Sequence, residues 1–93
     1  MYHQIAENVL NQIFDWIDQN NAFDADINGL ELIAKTHRGT YQINYHGVTK
    51  QIWVSSPLSG AHHFEYVEPN WLSTRDQSQE LWAFLKAEFA AFA

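Results

Sequence analysis

Between Tyr2 and Gln19 the apolar residues fall at positions 5, 6, 9, 10, 13, 16 and 17, a stripe with the period of an α-helix. The helix is expected to end near Asn20 and Asn21, which are poor helix formers. From Asp24 to Gly60 the period shortens to two. Leu30 and Leu32 alternate with Glu31 and Ile33, and Tyr41, Ile43 and Tyr45 alternate with Gln42, Asn44 and His46, as side chains of a strand do. Asn28-Gly29 reads as a turn or bulge rather than a hairpin loop, because little strand precedes it, whereas His37-Arg38-Gly39 and His46-Gly47 read as hairpin positions. KQIWVSS is a further strand, SPLSG a loop, HHFEY the next strand and NWLS a short last one. Ser78 or Asp76 then caps a second helix over QELWAFLKAEFAAF, with Leu81, Leu85, Phe89 and Phe92 or their neighbours turned inward.

Helix, a run of short strands and a second helix give an α+β fold. Two terminal helices pack on one face of an antiparallel sheet of about five or six strands, and the other face is left to water. With Leu32, Ile43, Val54 and Phe64 inward, the outward set is Glu31, Gln42, Asn44, His46, Gln51, Trp53, Ser55, His63 and Glu65. Trp53 thus shares a side with Gln51 and Ser55. Two readings follow from that position. A tryptophan ringed by amides and imidazoles has the composition of an interaction hot spot. Alternatively, the ring lies flat across its neighbours and stiffens the sheet.

Ninety-three residues make a single domain, 1–93, and a chain of this size buries roughly 60–65% of its unfolded surface. There is no cysteine, which excludes disulfides, zinc–thiolate sites and cysteine-held iron–sulfur clusters. No run approaches the 18 apolar residues of a membrane span. The first residues lack the pattern of a secretory signal or a transit peptide, so an intracellular protein or a processed mature form is expected. Eleven acidic residues against five basic ones give a net charge of −6. That balance argues against nucleic acid, whose binders carry basic patches, and toward cations or basic protein surfaces.

The acids are not spread evenly. Glu7, Asn11, Asp15 and Asp18 share one face of the first helix, and Asp24 and Asp26 follow at the entry to the first strand. No Lys or Arg falls between Glu7 and Lys35. Mutually repelling carboxylates are relieved by hard cations, although a helix surface cannot wrap an ion, and a merely solvated face is the alternative. The five histidines show no helical ligand spacing, and His62 and His63 point to opposite sides of a strand. Nothing in the chain forms a preorganised catalytic constellation, so an enzyme is not expected.

Taken together, YHQIAENVL, GTYQIN, KQIWVSSPLSG, HHFEY and the Asn70-Trp71 pair resemble the frataxin family, whose bacterial members are called CyaY. The resemblance covers nearly the whole chain. It implies an accessory protein of iron–sulfur cluster assembly, not an enzyme, that binds Fe²⁺ or Fe³⁺ weakly on its surface, with other divalent cations able to substitute. The metal residues carry over to Glu7, Asp15, Asp18, Asp24 and Asp26. It further implies docking on the cysteine desulfurase–scaffold complex to modulate sulfur transfer, through Asn44, Gln51, Trp53, His63, Asn70 and Trp71. A monomer that oligomerises with iron is expected, without nucleic acid or membrane, in a bacterial cytoplasm or, for a processed eukaryotic form, the mitochondrial matrix. The alternatives are a protein-only adaptor with incidental metal binding and an iron-storage ferroxidase. Two departures stand out: Gln12, Phe14, Gln19 and Asn20 thin the acidic ridge, and His46 and His63 occupy the sheet surface where amides or bases are common, which makes partner contacts pH-sensitive.

Overall fold

The computed structural model describes residues 1–20 and 23–92. Helix α1 runs Tyr2–Gln19 and buries Ala6, Val9, Leu10, Ile13 and Ile17, the apolar stripe of the sequence. Asn20 closes it as the C-cap; Asn21, the other expected stop residue, lies outside the described residues. Six strands follow: β1 Asp24–Asn28, β2 Glu31–Thr36, β3 Gly39–His46, β4 Gln51–Ser56, β5 Gly60–Val67 and β6 Asn70–Ser73; helix α2, Leu81–Ala90, comes last. All neighbouring strands pair antiparallel in the order β1-β2-β3-β4-β5-β6.

Both helices cover one face of this sheet. Leu32, Ile43, Val54 and Phe64 are buried there with Leu10, Ile13, Ile17, Leu81 and Leu85 in one core. The expected inward register is therefore correct. A second layer of rings closes the gap between the helices: Trp16 stacks on Phe89 at 5.3 Å and meets Trp82 edge-on at 5.6 Å.

Three local expectations are corrected. Asn28-Gly29 belongs to a true hairpin, since Asn28 pairs with Glu31 and only Gly29 and Leu30 lie between them. Gly29 has φ 63°, a left-handed conformation that glycine adopts without steric cost. The preceding strand was hard to see because its outward residues are Asp24 and Asp26, charges that keep an edge strand from pairing further. Secondly, α2 is capped by Glu80, whose carboxylate accepts from the backbone N–H groups of Trp82 and Ala83. Asp76 instead takes the backbone N–H and hydroxyl of Ser78. Thirdly, Trp71 does not belong to the open face. It is 3% exposed and packs in the core beside Tyr66 and Tyr45. Strand alternation sends Trp71 and Ser73 to the helix side and Asn70 and Leu72 to the other.

Candidate functional site: the open sheet face and the acidic edge

Antiparallel pairing sets Asn44, Trp53 and His63 directly beside one another across β3, β4 and β5. Diagonal to Trp53 lies His46, and both imidazoles lie against the indole. His46 stacks at 3.9 Å with planes 9° apart, and His63 at 4.5 Å with planes 13° apart. The indole Nε1 donates to Gln51 Oε1 at 2.9 Å. Trp53 is half-buried, sandwiched between imidazoles of the two flanking strands with its polar edge tied down. Such stacks hold about 0.5–1.5 kcal/mol per pair beyond burial. Beside this stack Asn44 Oδ1 is buried without a hydrogen-bond partner among the described residues, a group that costs about 1–3 kcal/mol when left unmade. A hollow of about 140 Å³ opens here, lined by Gln42, Asn44, Trp53, Ser55, Ala61 and His63. Asn70 is exposed on the same side at the β6 edge.

The five candidate metal residues are divided between α1 and β1. Glu7 is half-buried and Asp15 and Asp18 are exposed on α1, while Asp24 and Asp26 are exposed on the open side of β1. Among the described residues no three His, Cys, Asp or Glu side chains come together as an ion cage. Lys35 pairs across from Asp24 and lines the same open hollow as Asp24 and Asp26, so one cation already stands at that edge. This donor set fits weak, exposed cation binding and no enclosed centre.

A polar cluster escaped the sequence reading altogether. The Glu88 carboxylate, on the last turn of α2, accepts hydrogen bonds from Tyr41 at 2.9 Å, from Ser59 at 2.8 Å and from Ser56. Burial pushes the Glu88 carboxyl up, but the hydroxyls of Ser56, Ser59 and Tyr41 together outweigh it and hold it below its ordinary value. Burial, together with Glu88, pushes the Tyr41 phenol well up. Ser56 Oγ also accepts from the backbone N–H groups of Leu58 and Ser59, which folds the loop between β4 and β5. His62 bonds Ser59 Oγ through Nε2 at 2.8 Å, and Arg75 donates to its Nδ1 at 3.2 Å. The arginine fixes the tautomer with the proton on Nε2, aimed at Ser59. Burial first and Arg75 second push the His62 imidazole below its ordinary value. The available signal was Tyr41 itself, a phenol on an inward position that needs a buried acceptor.

The frataxin-like domain family matches residues 1–93. This chain belongs to the frataxin family. The frataxin homologue of Schizosaccharomyces pombe, named as mitochondrial, is 39% identical over 96% of this chain. The mitochondrial homologue of Saccharomyces cerevisiae is 30% identical over 81%. This frataxin chain spans 61% and 47% of the length of those two relatives. Among solved structures, a trimeric S. cerevisiae frataxin complexed with ferrous iron superposes with a TM-score of 0.86 at 27% identity, covering 95% of this chain and 84% of that one. The frataxin of Psychromonas ingrahamii gives a TM-score of 0.82 at 26% identity, with 92% and 82% covered. The fold, two helices on a six-stranded antiparallel sheet, is that of the frataxins.

Proposed function

We propose that residues 1–93 act as one frataxin-like domain, an accessory protein of iron–sulfur cluster assembly that carries iron weakly and docks on a cysteine desulfurase–scaffold complex to modulate sulfur transfer. The observation that carries the docking reading is the open face: a half-buried tryptophan, an unpartnered amide oxygen and a hollow, all within an amide- and imidazole-rich sheet surface. Asn44, Gln51, Trp53, His63 and Asn70 form the docking set; Trp71 supports it from the core. Iron is a surface-held cargo here, shared by Asp15 with Asp18 on α1 and Asp24 with Asp26 on β1, with Glu7 further along the helix. A trimeric relative complexed with ferrous iron supports iron binding and the capacity to oligomerise; a monomer that assembles when iron is bound is the form proposed. The relatives named as mitochondrial support a mitochondrial location, of which the matrix is the compartment proposed. Among the described residues no helix is long and apolar enough to cross a membrane.

Desulfurase turnover measured with and without this protein, at several iron concentrations, tests the reading. A rate that responds to the protein and shifts with iron is the expected result; a rate indifferent to the protein overturns it. A second reading, a protein-only adaptor whose metal binding is incidental, is favoured by the dispersed acids and by Lys35 beside Asp24. It predicts a response that does not change with iron.

A further inference from the structure

Strand β6 stops at Ser73, so the first half of β5 would form a bare edge if Thr74 did not donate its N–H to the carbonyl of His63. At this corner Ala61, His63, Thr74 and Arg75 line an open concavity of about 270 Å³. Its polar side chains are a guanidinium, an imidazole and a hydroxyl, all able to donate, and no carboxylate lines it. Arg75 is one of only five Lys and Arg residues in a chain of net charge −6. Its neighbour Asp76 spends its carboxylate on Ser78. Among the described residues the side chain of Arg75 bonds a carbonyl and an imidazole: its Nη2 donates to Ala61 O at 2.6 Å and to His62 Nδ1 at 3.2 Å. Those two bonds hold the guanidinium in place at one corner and leave its other N–H groups unused. A guanidinium has five N–H donors in a planar fork that matches a carboxylate. Ordering it beforehand removes part of the entropy that binding otherwise costs.

The concavity is continuous with the docking face. His63 and Ala61 line both this corner and the hollow beside Trp53. We propose that Arg75, with Thr74 and His63, forms an oxyanion subsite that receives an Asp or Glu carboxylate of the docked partner. This rests on the docking reading above. In a protein of net charge −6, it supplies a positive point at the β5–β6 end of the face and so fixes the orientation in which the partner sits.

Two measurements test it. In the free protein, the Arg75 guanidinium N–H and the His63 ring are followed by NMR during titration with acetate, and separately with inorganic phosphate, at constant ionic strength. Saturable shifts at Arg75, Thr74 and His63 with acetate are expected; shifts confined to phosphate would mean a free-anion site and overturn the partner-carboxylate assignment. Docking on the desulfurase–scaffold complex is then measured for Arg75→Gln, Arg75→Lys and Trp53→Ala, with urea midpoints as a check on folding. Arg75→Gln is expected to weaken docking about three- to tenfold and to flatten its salt dependence, and Arg75→Lys to restore only part of it. If Trp53→Ala weakens docking while Arg75→Gln leaves it unchanged, the subsite is wrong and the docking face stands. If neither substitution matters, the docking face itself is wrong.

Discussion

Replacing Glu88 by alanine should be among the more damaging changes available at a side chain that is not apolar. Tyr41 is fully buried, and its hydroxyl donates to Glu88. Without the carboxylate that donor is left in the core, at about 1–3 kcal/mol. Ser59 is exposed and recovers a water, but Ser56 is buried and loses its charged acceptor as well. Contributions within one cluster do not add, so a loss of about 3 kcal/mol is expected rather than the sum. For a small domain with a urea slope of about 1 kcal/mol/M, the midpoint falls by about 3 M. The decisive assay is the double-mutant cycle with Tyr41→Phe. In the native background, removing the hydroxyl costs about 1 kcal/mol; in the Glu88→Ala background it is neutral or stabilising, because it removes an orphaned donor. Equal costs in the two backgrounds would refute the coupling, as would a Glu88→Ala midpoint indistinguishable from the parent. The pH dependence has a fixed sign. The folded state holds the Glu88 carboxyl below its ordinary value of 4.5, so the unfolded chain takes up the proton first. The contribution is complete above the ordinary value and is lost as pH falls through the lower, folded one. The stability gap between the parent and Glu88→Gln should therefore close in acid.

Two further outcomes separate surface from core and test the acidic edge. Trp53→Ala should cost about 1–3 kcal/mol through its two stacked imidazoles, while Ile52→Ala and Trp71→Ala, both on buried positions, should cost about 2–5 kcal/mol in urea unfolding; a larger loss at Trp53 than at Ile52 would put the register off by one. Asp15→Asn with Asp18→Asn should raise the melting temperature, since both carboxylates lie toward the negative C-terminal end of α1, and should reduce the broadening of amide signals by Co²⁺; a lower melting temperature would mean that these acids make stabilising contacts.

Strand parity was legible wherever a strand was long enough to repeat. In β4 Ile52 and Val54, and in β3 Ile43 between two tyrosines, mark one side, and the shared inward face of Ile43, Val54 and Phe64 follows from them. Strand β6 has only four residues, two per side, and NWLS places an apolar residue on each. Nothing in those four letters says which one is buried, and Asn70 and Trp71, both expected in the docking set, point to opposite sides. The Trp53 stack was legible as to its face but not its pose, because two imidazoles reach the ring from different strands. Tyr41, Ser56, Ser59 and Glu88 lie up to 47 positions apart in the chain, and only the folded sheet and helix bring them to one point. For the same reason Arg75 looked like one more loop charge until the end of β6 set it against His62 and Ala61.

The strictly sequential strand order carries a consequence for how the chain acquires its structure. Every strand pairs with the one just before or after it, so the ladder can assemble hairpin by hairpin through short loop closures, the kind of contact that forms fast. The helices are the opposite case. α2 follows the strands, and its Leu81, Phe84 and Leu85 complete the covering of an inner face whose last strand, β6, already ended at Ser73. During synthesis, therefore, the part of the apolar sheet that α1 does not cover stays open until α2 has left the ribosome. That interval, more than any step of strand pairing, is when this protein is most open to aggregation.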